Sequence, residues 1–81
     1  MQRNLRKAYN RLEKLGVQVE GVWGERDRFA ILPEHKWANY YRREDTAGWV
    51  FGVSPIINDI LHDCGCWCEW QNPELLLVWE A

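Results

Sequence analysis

The segments 12–20 and 61–69 share one pattern, which constrains the fold more than any other feature of this sequence. Each segment has the form Leu-x-x-apolar-Gly-apolar-x-apolar-Glu. A glycine directly after a helical repeat is typical of a helix C-terminus, and the alternation after it is typical of a strand. The pattern therefore predicts a helix followed by a strand at two places in the chain. Whether the two copies reflect a duplication stays open.

Helical spacing of apolar residues precedes each of these glycines. It predicts a first helix over 2–15 and a second over 55–64, where Ser54 followed by proline supplies an N-cap hydroxyl and a favourable first helical position. Strand-like stretches joined by turns then predict hairpins over 17–32 and 66–80. The predicted fold class is α+β, in the order αββ–middle–αββ, with a mostly antiparallel sheet and two helices on one face.

The middle segment 33–53 is rich in aromatic residues and has no single period. Trp37, Tyr40 and Tyr41 are spaced as on a short helix, but neighbouring aromatic residues also favour a strand. The stretch 49–51 is predicted to form a short strand. Whether the middle segment as a whole is helical, extended or irregular stays open.

The size of the chain indicates one domain over residues 1–81, because 81 residues are too few for two independent cores. Six Trp, three Tyr and two Phe provide large apolar areas, about 150–250 Å² each, so a folded core is expected. We find no apolar leader and no apolar stretch of the ~20 residues that span a bilayer. Three crowded cysteines do not form a paired disulfide framework. We therefore expect a cytoplasmic protein that does not act on a membrane.

Charge is divided unevenly along the chain. All ten basic residues lie between positions 3 and 43, together with five acidic residues, whereas the part from position 44 onward carries seven acidic residues and no Lys or Arg. Such a division can create two oppositely charged faces that steer a partner. Folding could instead interleave the two parts and cancel the field, and both outcomes stay open.

Three thiols and an imidazole crowd into one short segment, which raises the possibility of a zinc site. The four residues are His62, Cys64, Cys66 and Cys68. Structural zinc sites use cysteine pairs about two to four residues apart, whereas Cys66 and Cys68 alternate on a predicted strand, about 6.6 Å apart along it. They also match Val17 and Val19 of the first copy. We favour buried core cysteines and predict no metal or cofactor, with a zinc-binding module as a third alternative.

The last hairpin is expected to pair Trp70 with Leu77. This register places six residues on the face towards the helices: Cys66, Cys68, Trp70, Leu75, Leu77 and Trp79. The opposite face then carries Trp67, Glu69, Gln71, Leu76, Val78 and Glu80. If the middle segment does not cover this second face, it offers a binding site or a homodimer interface.

No catalytic arrangement can be assembled from the sequence. A Cys–His pair at 62 and 64 has no evident orienting third group, the carboxylates are scattered, and no glycine-rich stretch opens a helix as a phosphate loop does. We predict that the chain is not an enzyme and has no catalytic residues.

Aromatic residues beside arginines favour protein binding, because Trp, Tyr and Arg are enriched at interface hot spots. The predicted partner-binding residues are Trp37, Tyr40, Tyr41, Arg42 and Arg43, with Trp67 as an extension. Our leading hypothesis is an inhibitor or adaptor that occludes another protein. Small accessory proteins of this kind, including phage-encoded inhibitors of host systems, have a similar size and composition.

A nucleic-acid-binding protein is the alternative hypothesis, because the first helix is strongly basic. The residues that would contact phosphates are Arg3, Arg6, Lys7, Arg11 and Lys14. The sequence pI of about 5.6 argues against this hypothesis, since the acidic second part would repel a long polyanion.

Overall fold

A computed structural model describes residues 1–34, 36–42 and 44–81 of the chain. Two helices and four strands follow one another in the order α1 (Arg3–Leu15), β1 (Val19–Gly21), β2 (Arg28–Ile31), α2 (Pro55–Asp63), β3 (Cys66–Asn72) and β4 (Leu75–Glu80). The four strands form one antiparallel sheet. The predicted α+β fold class is confirmed.

The two helices begin and end where local chemistry favours it. Helix α1 ends at Gly16, whose φ of 96° is open to glycine but costly for other residues. Helix α2 begins after Ser54, whose Oγ accepts the backbone N–H of Ile57 at 3.3 Å and so satisfies one of the free amides of the first turn.

The sheet order is β1-β2-β4-β3, so each hairpin of the chain occupies one side of the sheet. Helix α1 contacts all four strands and α2, and α2 packs against β3. Phe29 and Ile31 of β2 and Leu76 and Val78 of β4 are fully buried on the side of the sheet that the helices cover. The core therefore lies between one face of the sheet and the two helices.

The middle segment adds to this core without forming a helix or a strand in its described residues. Trp37, Ala38 and Val53 belong to the buried cluster, and the backbone forms only isolated bridges, Ala38 to Val53 and Val50 to Val53. The predicted strand over 49–51 is wrong, because Val50 and Val53 close a tight turn at this point. The aromatic side chains of the segment are divided between the core and the surface.

The predicted register of the last hairpin is also wrong, by one residue. Trp70 pairs with Leu76 rather than with Leu77, although Asn72 pairs with Leu75 as that register requires. One extra residue, Gln71, lies between these two pairs and forms a bulge that shifts every later pair. The two faces of β4 are thereby exchanged: Leu76, Val78 and Glu80 lie on the helix side, and Leu75, Leu77 and Trp79 lie on the other side.

No helix in the described part of the chain is long and apolar enough to cross a membrane.

Candidate partner-binding surface

The charge division of the sequence is preserved only in part in the fold. Each hairpin occupies its own side of the sheet, but helix α1 of the basic first part packs across all four strands and against α2, so the two parts are in contact. Among the described residues, one ion pair joins the two parts, between Arg11 Nη1 and Asp63 Oδ2 at 3.9 Å. The charged side chains that α2 and β3 themselves carry are the carboxylates Asp59, Asp63 and Glu69.

Four aromatic side chains gather where the middle segment meets the end of β3, and we call them the aromatic cluster: Tyr40, Tyr41, Phe51 and Trp70. The Tyr40 ring packs edge-to-face against Tyr41 at 5.4 Å and against Trp70 at 5.5 Å between centroids. Trp70 Nε1 donates a hydrogen bond of 2.7 Å to the Phe51 carbonyl oxygen. Tyr40, Tyr41 and Phe51 are nevertheless 41%, 66% and 78% exposed. The cluster is thus both ordered and accessible.

The backbone around the cluster is held by several short contacts. Tyr41 N–H donates to Asn39 Oδ1 at 3.1 Å, and Asn39 N–H donates to the Gly52 carbonyl at 2.7 Å. The Ala38–Val53 bridge joins the same two stretches. These contacts fix the position of Tyr40 and Tyr41 relative to the turn that carries Phe51.

Phe51 stands at the tip of a two-residue turn with an unusual backbone. Val50 and Val53 exchange N–H···O bonds of 3.1 and 2.9 Å, and Phe51 and Gly52 between them have φ of 49° and 75°. Two successive positive φ values are the mark of a type I′ turn, which glycine and asparagine favour. A bulky residue in this conformation costs on the order of 1–3 kcal/mol. The chain maintains this strain at its most exposed phenyl ring.

Arg42 has an internal role in the loop that follows the cluster. Its guanidinium lies 4.2 Å from the centre of the Trp49 ring, and Nη2 donates to Thr46 Oγ1 at 3.0 Å. Arg43, which was also predicted to contact a partner, lies outside the described residues. Trp37, also predicted to contact a partner, is only 8% exposed and belongs to the core, so its ring is not available for such a contact.

Trp67 lies apart from the aromatic cluster, on the face of the sheet that the helices do not cover. Its ring stacks on Trp79 with 4.6 Å between centroids, and the Arg28 guanidinium lies 5.7 Å from the centre of the Trp79 ring. Trp67 remains 44% exposed. The neighbouring Ala30 and Leu77 on this face are buried, so the exposed apolar area here comes mainly from Trp67, with part of Trp79.

A groove of about 760 Å³ lies on the helix side of β3, between this strand, α2 and the turn of Phe51. Cys66, Cys68 and Trp70 line its floor. Burial raises the pKa of the Cys66 thiol to about 11, with the charges of Cys64 and Glu80 adding to the effect, and burial alone raises the pKa of Cys68 to about 11. Both thiols are therefore protonated at neutral pH and are weak nucleophiles and metal ligands.

The zinc alternative receives no support from the part of the chain that the structure describes. Within it, no three His, Cys, Asp or Glu side chains come together as a metal site requires. Cys64 and Cys66 are buried, Cys68 is half-buried, and His62 is exposed on α2. The cysteines lie at apolar positions, as their match to Val17 and Val19 indicated.

The basic residues of α1 form a separate surface. All five are exposed and, at 3.6 residues per turn, lie within a stripe about 140° wide on the side of α1 opposite Leu5 and Leu12. Arg11 at the end of this stripe also contacts Asp63. The helix thus presents a continuous cationic surface to solvent.

Two exposed aromatic residues were not among the predicted partner-binding residues. Phe51 had been assigned to a strand, although a residue followed by glycine between two valines is a signal for a two-residue hairpin turn. Trp23, in the turn between β1 and β2, is 97% exposed. A tryptophan followed by Gly24 in a turn could have been recognised in the same way.

Comparisons with known proteins give no relative, since no family model, no curated protein and no solved structure matches this chain.

Proposed function

We propose that this chain is a small non-enzymatic protein-binding module, an inhibitor or adaptor that occludes a site on another protein. The observation that carries the proposal is the aromatic cluster, in which three exposed rings are held in place by Trp70 and by the backbone bonds around Asn39. Tyrosine and tryptophan are enriched at interface hot spots, where a few residues dominate the binding energy.

The order of the cluster favours binding for a physical reason. Immobilising a side chain at an interface costs about 0.5–1.5 kcal/mol, and much of this cost is avoided when the side chain is already held in the free protein. Tyr40 packs between Tyr41 and Trp70, and the tight turn from Val50 to Val53 holds the backbone of Phe51. A partner that meets these rings therefore loses little affinity to ordering them.

A mechanism with a cysteine nucleophile is disfavoured by the chemistry of the two thiols on β3. The Cys66 and Cys68 thiols have a pKa of about 11 and so provide little thiolate near neutral pH. Free thiols are also stable in a reducing compartment, which supports a cytoplasmic location for the binding event.

The test compares partner affinity in matched variants. The tagged protein is used to isolate a partner from a lysate, and the purified pair is measured by calorimetry. We expect Tyr40→Ala with Tyr41→Ala to weaken binding at least tenfold, whereas Trp23→Ala, which removes an exposed ring outside the cluster, changes it less than threefold. Circular dichroism verifies that both variants fold. Equal affinity of the double variant and the wild type would show that the cluster is not the contact.

A nucleic-acid-binding role is the second candidate, and the continuous cationic stripe of α1 favours it. Each phosphate that is neutralised releases counterions, so five contacts predict an affinity that falls steeply with salt, roughly 10²- to 10³-fold between 50 and 200 mM. Fluorescence anisotropy with labelled double-stranded DNA measures this slope. A flat salt dependence, or no binding at 50 mM salt, eliminates the candidate.

A further inference from the structure

The outer edge of β3 is open in the part of the chain that the structure describes. Strand β3 is the last strand of the sheet, and no strand pairs with its other side. In an antiparallel pair, the backbone groups of alternate residues point towards the partner strand and away from it. Ala81 N–H donates to the Gly65 carbonyl at 2.8 Å, so odd-numbered residues of β3 bond to β4. The amides and carbonyls of Cys66, Cys68 and Trp70 therefore point outward.

The side chains of the same three residues point into the groove of about 760 Å³ that runs beside this edge. Helix α2 forms one wall with Asp59 and His62, and Phe51 contributes to the other wall. A volume of this size holds more than one side chain. Free backbone groups and side-chain pockets thus lie together along one strand, as β-strand addition requires.

We propose that the partner supplies an extended segment that joins the sheet beside β3 as a fifth strand and places alternate apolar side chains in the groove. This inference rests on the proposed protein-binding function and identifies the form of the partner. The segment would lie against Phe51 and Trp70, which the groove shares with the aromatic cluster. Main-chain hydrogen bonds then provide affinity, and the groove selects the side chains.

Charge indicates which segments fit. The groove lies in the acidic part of the molecule, and its charged lining consists of Asp59 and Glu69, with no Lys or Arg among the described lining residues. A segment whose apolar residues alternate with Lys or Arg is therefore favoured. A second copy of this chain is disfavoured, because two β3 edges would bring the same carboxylates together from both sides.

The first experiment uses a displayed library of random 12-residue peptides as the probe and the full-length protein as the target. Selected peptides are expected to alternate apolar with basic residues and to shift the amide resonances of Cys66, Cys68 and Trp70 in NMR spectra of the ¹⁵N-labelled protein. No selected binder, or binders that shift other regions only, would overturn the proposal.

A matched pair of variants then tests the backbone contact. Cys68→Pro removes an N–H that points away from β4, a position at which an edge strand tolerates proline. Cys68→Val keeps this N–H and an apolar side chain. We expect the selected peptide to bind Cys68→Pro at least tenfold more weakly than wild type, and to bind Cys68→Val within about twofold. Equal binding to both folded variants contradicts strand addition.

Alternate N-methylation of the peptide gives the same test on the wild-type protein, in case Cys68→Pro does not fold. Methylating the amides that face β3 is expected to abolish binding, and methylating the intervening amides is expected to leave it within about threefold. Peptides that tolerate both patterns equally overturn the inference.

The two proposals fail in different ways. If the isolated protein partner depends on Tyr40 and Tyr41 but binds folded Cys68→Pro as well as wild type, strand addition is wrong and the binding function stands. If the partner is insensitive to all three substitutions, both proposals are wrong.

Discussion

The two edges of the sheet differ in length and in protection, and the difference bears directly on function. The β1 edge has three residues, whereas the β3 edge has seven. Natural sheets protect their edges with short strands, lysines, prolines or bulges, because an open edge is a template for pairing with another chain. Strand β1 is protected by its shortness. Strand β3 contains no lysine or proline, and its bulge lies only at the far end.

The two edges also differ in what lies beside them. The groove and the aromatic cluster both adjoin β3, and the charged groove residues there are the carboxylates of Asp59 and Glu69. The stripe of five cations lies on α1, in the same part of the chain as β1. The unprotected edge thus coincides with a groove and with one strained, exposed aromatic residue, Phe51. In this chain, one edge of the sheet is protected against pairing and the other edge is left open.

Shortening a buried side chain of β4, which lies between β2 and β3, is expected to have the largest effect on stability. Leu76 of β4 is fully buried, so Leu76→Ala should lower the free energy of unfolding by about 2–5 kcal/mol. The neighbouring Leu75→Ala, on the other face and half-buried, should cost less than about 1.5 kcal/mol. Urea unfolding measures both, and a larger cost at Leu75 would mean that the faces of β4 are assigned the wrong way round.

The thiols of β3 make this edge sensitive to alkaline pH. A folded-state pKa of about 11 for Cys66, above the ordinary value of 9.0, means that stability is complete below pH 9 and is lost between pH 9 and 11, as the unfolded thiol ionises first. The loss, reduced by partial solvent screening of this group, is on the order of 1 kcal/mol.

The control for this pH dependence replaces two cysteines of β3 with valine, the residue at the matching positions 17 and 19. Cys66→Val with Cys68→Val removes both thiols and should flatten the decline between pH 9 and 11 relative to wild type. Urea unfolding at several pH values provides the measurement. If both proteins lose the same free energy of unfolding between pH 9 and 11, the loss does not come from the thiols.

Relieving the strained turn beside β3 is expected to raise stability, by less than the core substitution in β4 lowers it. Phe51→Asn places a residue that tolerates positive φ in the turn and should raise the free energy of unfolding by roughly 0.5–1 kcal/mol, while weakening partner binding at least fivefold. Ala47→Asn is the matched control, because Ala47 has a φ of 53° in a separate turn. It should stabilise similarly and leave binding unchanged. Retained affinity in Phe51→Asn would indicate that the strain has no role in binding.

Local signals in the sequence were sufficient for the helices, the hairpins and the fold class. Glycines that end helices and the serine–proline start of α2 act within a few residues, so they can be recognised without knowledge of the fold. The burial of Cys66 followed from its match to Val17 of the first copy, which is also buried.

Features that depend on distant contacts were not predictable in the same way. One unpaired residue, Gln71, reversed the faces of β4, because side chains alternate with a period of two and a single insertion exchanges them. The division of the aromatic residues between core and surface depends on the path of the middle segment, which has no periodic pattern. Trp37 was therefore placed at the surface, and Phe51 was assigned to a strand.

Amide hydrogen exchange in the free protein tests the open β3 edge most directly. At low concentration, the amides of Trp67 and Glu69 should exchange slowly because they bond to β4, whereas those of Cys66, Cys68 and Trp70 should exchange at least tenfold faster. NMR resolves these five amides individually. An alternating pattern that becomes uniformly slow when the selected peptide is added is the result that the account predicts. Uniform protection in the free monomer would show that the edge is already covered and would contradict the account.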